Sequence, residues 1–143
     1  MTSLDNLLKE GRIESVEPDV AVAKDKLEEA KRHLASAAAI AEDDPEGAYS
    51  LVYDAARKAA DAHMLANGYR ASKSKVGAHE ATARYVEAVI GGKYAPDAGA
   101  FNRMRKQRNR TEYGKWHISS STLKTDSAHA ARIVEAVEAS LKG

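Results

Sequence analysis

The stretch PEGAYSLVYDAARKAADAHMLANG, residues 45–68, decides the fold. Nearly every position outside one narrow polar stripe is apolar, and a helix that is apolar around most of its circumference is usually central in a bundle. Asp44 suits the N-cap, Pro45 the first helical position and Gly68 the end of such a helix. We therefore predict a central helix whose polar stripe consists of Ser50, Asp54, Arg57 and Asp61.

Helical patterns also lie on both sides of this stretch. In residues 18–41, apolar side chains recur at alternating steps of three and four, which is typical of a helix with one apolar stripe. No strand-like alternation is evident, and residues 69–80 and 118–127 are predicted to be a basic loop and a polar connection. The predicted elements are a short amphipathic turn at 3–9 and helices at 18–41, 45–67, 77–90, 98–113 and from 126 or 127 to 141.

These elements predict an all-α protein. We expect an up-and-down helical bundle of four long helices plus a short extra helix. The length of 143 residues fits a single domain. Within it, residues 1–17 would form a short N-terminal element and residues 18–142 the bundle.

The composition excludes several classes of function. The absence of cysteine excludes disulfides, thiolate metal sites and cysteine nucleophiles. No run approaches the roughly twenty apolar residues of a membrane span, and the first residues are too acidic for a signal peptide. A net charge of +1 requires any nucleic-acid role to rest on a local patch. We expect a soluble, cytoplasmic protein without membrane association.

No cofactor is expected either. The five histidines are scattered, and no two stand at the three- or four-residue step that presents a pair of metal ligands on a helix. The segment ASKSKVG, residues 71–77, lacks the glycine spacing of a phosphate-binding loop. Its basic residues could still add to a basic face. His63 and His79 are most simply interpreted as hydrogen-bonded core or interface histidines.

The strongest functional signal is RMRKQRNRTEYGKWH, residues 103–117, where six basic residues stand against one acid. Arg105 and Arg108 share a helical face, and planar guanidinium groups match phosphate oxygens. Aromatic side chains among them could stack on unpaired bases. Residues that would bind nucleic acid are Arg105, Arg110, Lys115 and Trp116. In the simpler alternative, Arg108 pairs with Glu112 on a solvated face, while Tyr113 and Trp116 seal the bundle.

The chain resembles the HEPN superfamily of small helical bundles over residues 20–142. The resemblance rests on GAYSLVYDAARKAADAHMLANGYR (47–70), His79, RKQRNRTEY (105–113) and the final alanine-rich helix. It implies a homodimer with two facing arginine motifs. It further implies a metal-independent endoribonuclease of toxin–antitoxin or defence type. Several members of the family pair with a nucleotidyltransferase, so the resemblance also implies such a partner.

The family motif is an arginine followed by a polar residue and, with four to six residues between it and the arginine, a histidine. Arg108 matches the arginine and Asn109 the polar residue, but Tyr113 stands at the histidine position. The resemblance therefore implies Arg108, Asn109, Tyr113 and His117 as catalytic candidates. A second register, from Arg110 to His117, also satisfies the spacing.

Two functions remain open from the sequence. As a ribonuclease, the protein would direct the RNA 2′-hydroxyl onto the adjacent phosphate, with Arg108 stabilising negative charge and Tyr113 or His117 protonating the leaving oxygen. As a non-catalytic dimeric module, it would bind RNA, a nucleotide or a protein partner through the same surface. The tyrosine at 113 favours the second function.

Overall fold

A computed structural model describes residues 3–73, 77–113 and 117–142, with only the backbone for residues 111–113. The described chain is mostly helical, so the predicted all-α class is confirmed. Four of its helices have 19 or more residues. The elements are α1 Leu4–Lys9, β1 Ile13–Ser15, α2 Val20–Ile40, α3 Pro45–Ala66, β2 Tyr69–Ala71, α4 Ala78–Val89, α5 Ala95–Tyr113 and α6 Ser120–Lys142.

The central helix α3 begins and ends where the sequence predicts. Asp44 Oδ1 accepts a hydrogen bond from the Gly47 amide at 3.0 Å, and Pro45 occupies the first turn. Gly68 follows the last turn with a φ of +86°, a conformation that favours glycine because it lacks a Cβ. Local capping chemistry therefore fixes both ends of this helix.

Alanine lets neighbouring helices approach α3 closely. Several of its alanines have no exposed surface, and the helix packs most extensively against α2 and α6. Among the described residues, no helix is long and apolar enough to cross a membrane. The core that forms around α3 includes Ala55, Ala56, Ala59 and Ala60 of α3, Ala23, Leu27 and Ala30 of α2, and Ile133, Val134 and Val137 of α6.

Two short strands accompany the helices, and the predicted loop over residues 69–80 is wrong at its start. β1 and β2 form a two-stranded antiparallel sheet in which Ile13 pairs with Ala71 and Ser15 with Tyr69. Residues 69–71 therefore do not belong to a loop. Each strand is only three residues long, which is too short for apolar and polar residues to alternate visibly. We call this pairing the β1–β2 clasp.

The N-terminal element packs against the bundle through a second, smaller core. Leu7 of α1 and Ile13 of β1 are buried against Met64 of α3 and against Ala81 and Tyr85 of α4. The clasp and this core together attach the first part of the chain to the end of α3 and to α4.

The last two helices begin earlier than predicted. α5 starts at Ala95, and α6 starts at Ser120, so most of the predicted polar connection is helical. Ser119 caps α6, because its Oγ accepts a hydrogen bond from the Thr122 amide at 3.0 Å. Asp126, one of the predicted caps, is instead buried inside the helix, where it accepts hydrogen bonds from Tyr49 of α3 and Arg103 of α5.

Candidate nucleic-acid interface

Tyr53 lies where α3, α4 and α5 meet. Its residue surface is fully buried, and its ring stacks on Phe101 of α5 with the centroids 5.6 Å apart. Its hydroxyl oxygen lies 3.0 Å from Nδ1 of His79, in the first turn of α4. Three helices thus fix the position of one tyrosine–histidine pair, in which the histidine is on the surface.

Three arginines surround this pair. The Arg108 guanidinium carbon lies 5.7 Å from the centre of the Tyr53 ring. Arg105, on the same face of α5, donates from Nε to Asn102 Oδ1 at 3.1 Å. Arg57 lies one turn after Tyr53 on α3. We call Arg57, Arg105 and Arg108 the arginine cluster.

Two acidic side chains hold Arg57 in place. Asp54 lies 3.7 Å from Nε and Asp61 lies 3.3 Å from Nη1, each on a neighbouring turn of α3. These three residues belong, with Ser50, to the polar stripe that the sequence places on the central helix. The stripe therefore faces the site and supplies both a cation and the carboxylates that orient it.

Burial and nearby charge shift the pKa values of both Tyr53 and His79, so that both side chains are uncharged at neutral pH. Burial raises the pKa of the Tyr53 phenol to about 12, although the positive charges of the arginine cluster act in the opposite direction. His79 reaches the surface but is partly desolvated by its neighbours, which lowers its pKa, and the charges of Arg57 and Arg108 lower it further. At neutral pH the site therefore offers a phenol and an uncharged imidazole beside the cations of Arg105 and Arg108, while Arg57 is paired with Asp54 and Asp61.

This arrangement has a definite chemical capability. Guanidinium groups bind phosphate oxygens through paired, charge-assisted hydrogen bonds. An uncharged imidazole can accept a proton at neutral pH. The pair and the cluster could together bind a phosphodiester and remove a proton from a group next to it.

The predicted site residues fall into three groups. Arg105 and Arg108 lie together beside Tyr53. Asn109, Arg110 and His117 are exposed. The backbone is held directly after His117, because the Ile118 amide donates a hydrogen bond to Glu46 Oε2 at 3.0 Å. The side chains of Glu112, Tyr113, Lys115 and Trp116 lie outside the described residues, and so does the predicted pairing of Arg108 with Glu112.

Of the two interpretations of His79, the core histidine is wrong, whereas the interface histidine stays a prediction. His79 is hydrogen-bonded as expected, but it is exposed, because it precedes the part of α4 that turns into the core. His63 agrees better with its prediction, since it is half-buried and its Nδ1 lies 2.8 Å from the Tyr85 hydroxyl. In the predicted basic loop, Arg70 pairs with Glu14 across the clasp at 2.7 Å.

Sequence reasoning missed Tyr53 and Arg57 as site residues. Both lie on the central helix, where apolar character dominates and a tyrosine or a single arginine is easily assigned to packing. One available signal was the polar stripe, because an otherwise apolar helix has little reason to keep Asp54, Arg57 and Asp61 on one face unless that face meets charge or solvent.

No group of three histidine or acidic residues in the described parts of the chain is arranged to hold a metal ion. Comparison with known proteins adds no relative: no protein-family model matches the chain, and no curated protein or solved structure matches it significantly.

Proposed function

We propose that this domain is a HEPN-like, RNA-directed protein that binds a phosphodiester with the arginine cluster. The observation that supports this most directly is that guanidinium groups from α3 and α5 lie close enough to the Tyr53–His79 pair to shift its pKa values. The resemblance of residues 105–113 to the family motif adds a second reason, which involves Arg108 as well.

In the catalytic form of this proposal, the domain is a metal-independent endoribonuclease. Nδ1–H of His79 donates to the Tyr53 hydroxyl oxygen, which leaves a lone pair on Nε2 to take the proton of the RNA 2′-hydroxyl. The 2′-oxygen then attacks phosphorus, and the bond from phosphorus to the 5′-oxygen breaks to give a 2′,3′-cyclic phosphate. Arg105 and Arg108 stabilise the charge that develops on the phosphoryl oxygens.

The leaving 5′-oxygen must also receive a proton. Tyr113 or His117 supplies it, as a phenol or an imidazolium that donates on the far side of the scissile bond. In this form the domain is a homodimer in the cytoplasm whose two motifs share one cleft, with a nucleotidyltransferase or another toxin–antitoxin protein as its partner.

The second candidate function is a non-catalytic dimeric module that keeps the same RNA-binding surface. Tyrosine at position 113, where the family motif has histidine, favours it. The two candidates share the arginine cluster and differ only in turnover, so one set of variants tests both.

The first test is binding of labelled single-stranded RNA in excess EDTA. We expect the double variant Arg105→Ala/Arg108→Ala to bind at least about tenfold more weakly. Its plot of log affinity against log salt should be shallower by about 0.7 for each phosphate that the protein no longer neutralises. Lys24→Ala/Arg32→Ala, which removes two positive charges from exposed positions of α2, is the matched control and should bind like the wild type. Equal RNA binding by the double variant and the control would contradict the proposal.

The second test separates cleavage from binding. Products with 2′,3′-cyclic phosphate ends that disappear in His79→Gln, while RNA binding stays near the wild-type level, would establish the ribonuclease. Because the pKa of His79 is lowered, the rising limb of the pH–rate profile should have its midpoint below the ordinary histidine value of about 6.5, and any falling limb at higher pH would report the proton donor. Binding without any such product would establish the non-catalytic module.

A further inference from the structure

A second cluster of charged groups lies where the first turn of α5 meets the middle of α6. At its centre is Asp97, which is 1% exposed. Its Oδ1 lies 2.8 Å from Nδ1 of His129, and its Oδ2 accepts a hydrogen bond from Nε of Arg132 at 3.0 Å. A buried carboxylate thus orients two cationic or potentially cationic side chains of α6.

Arg132 makes two contacts besides its pair with Asp97, although its side chain is 46% exposed. Its Nη2 donates to the carbonyl oxygen of Lys93 at 3.2 Å, and its guanidinium carbon lies 5.3 Å from the centre of the Tyr94 ring. A guanidinium that is both fixed and open to solvent has already lost much of the rotational freedom that binding a ligand would otherwise remove.

These residues line a cavity of about 490 Å³. Among the described residues of its wall, Asp97 is the only acid and is already paired with Arg132, so the wall carries an excess of positive charge. We call it the Asp97 pocket; its lining consists of Lys93, Pro96, Asp97, Lys124, Thr125, Ala128, His129 and Arg132.

The charge, size and hydrogen-bonding groups of the pocket together specify a ligand. Two lysines and an oriented guanidinium suit a dianion better than a singly charged group. The volume falls within the range of small-molecule sites and exceeds what a bare oxyanion would fill. Because Nδ1 of His129 contacts Asp97, Nε2 is the ring nitrogen that can contact a bound molecule.

We propose that the Asp97 pocket binds a phosphate monoester of mononucleotide size. Lys93, Lys124 and Arg132 hold the phosphate oxygens, and His129 Nε2 contacts the phosphate or the group that it esterifies. Asp97 precedes Arg105 and Arg108 by two to three turns of α5, and the pocket shares no residue with the arginine cluster. The proposal therefore does not rest on the function proposed above.

Titration of the ¹⁵N-labelled protein with adenosine 5′-monophosphate tests the proposal. We expect amide shifts at residues 93–97 and 124–132, with inorganic phosphate shifting the same amides and uncharged adenosine shifting none. The exposed lysines Lys93 and Lys124 are suitable for mutation, because no side-chain hydrogen bond of the fold depends on their ammonium groups within the described residues. Lys93→Ala/Lys124→Ala should weaken the nucleotide affinity by about tenfold or more.

The matched control is Lys24→Ala/Lys106→Ala, which removes the same charge from exposed positions outside the pocket and should keep the wild-type affinity. Three results would overturn the proposal: shifts confined to the surroundings of Arg105 and Arg108, adenosine binding as well as its monophosphate, or equal affinities of the pocket variant and the control.

Discussion

Tyrosine hydroxyls place hydrogen bonds inside a core made largely of alanine. Tyr49 donates to the buried carboxylate of Asp126 at 2.6 Å, while Tyr53 and Tyr85 lie against His79 and His63. Each of these tyrosines is at most 1% exposed, so a bulky ring fills the space beside small residues and its polar end meets a partner. Two of these partners are histidines, His63 and His79, and both lie at the edge of the core.

The pair of His63 with Tyr85 predicts a pH dependence of stability. Burial lowers the pKa of His63 in the folded protein, so the unfolded chain binds the proton more readily. The contribution of His63 is fully present above the ordinary histidine pKa of about 6.5 and is lost as the pH falls through the lowered value. The free energy of unfolding should therefore rise between about pH 5 and pH 7.

Urea denaturation of the wild type and of His63→Gln at both pH values measures this contribution. Asp61, whose pKa is raised by burial, acts with the opposite sign and is common to both proteins. The rise should be smaller in His63→Gln, and an identical rise in the two proteins would show that His63 is not its source.

At the scale of the elements, the junction of α3 with β2 depends on one glycine. Gly68 has a φ of +86°, and an added Cβ would lie 3.1 Å from the Val16 carbonyl oxygen and 3.2 Å from Pro18 Cγ. We expect Gly68→Ala to lower the free energy of unfolding by about 1–2 kcal/mol from the backbone conformation alone, with the close contacts adding to the loss.

Gly99→Ala is the matched comparison for this change. Gly99 lies in α5, and a Cβ there would meet nothing within 4 Å. Replacement should raise the free energy of unfolding by about 0.5–1 kcal/mol, because alanine loses less backbone entropy in a helix. Urea denaturation of both variants checks the pair of predictions, and changes of the same sign would contradict this account.

The helices could be predicted from the sequence more fully than the strands or the site. Asp44, Pro45 and Gly68 fix the ends of α3 through local chemistry, and local chemistry is readable along the chain. The clasp depends on Ile13 meeting Ala71, which no local pattern encodes. The site divides in the same way: Arg105 and Arg108 share a helical face, whereas their closeness to Tyr53 and His79 arises only when α3, α4 and α5 pack.

For the whole molecule, the buried tyrosines predict an alkaline limit. Burial raises the pKa of Tyr53 to about 12, and it also raises the pKa values of Tyr49 and Tyr85. A raised pKa contributes stability that is present below the unfolded value of about 10 and is lost as the pH rises through the folded value. Stability should therefore fall above about pH 10, and these phenols should ionise only as the helices are lost.

Absorbance of tyrosinate and helical circular dichroism, recorded together during an alkaline titration, measure both events. Tyr85→Phe should reduce the steepness of the loss of stability, whereas Tyr94→Phe serves as a comparison, because Tyr94 is partly exposed at the end of the 3₁₀ turn Gly92–Tyr94. Full ionisation of the phenols with the helical signal unchanged would contradict the prediction.

The β1–β2 clasp also constrains the order in which the chain folds. All of α2 and α3 lies between the two strands of the clasp. If the clasp formed first, the entropy lost by closing this long, flexible loop would exceed what a few backbone hydrogen bonds contribute. Once α2 and α3 have packed side by side, the ends of that loop are already close. The N-terminal segment is therefore a late addition to the folding molecule, and in native-state hydrogen exchange its amides should open before those of α3.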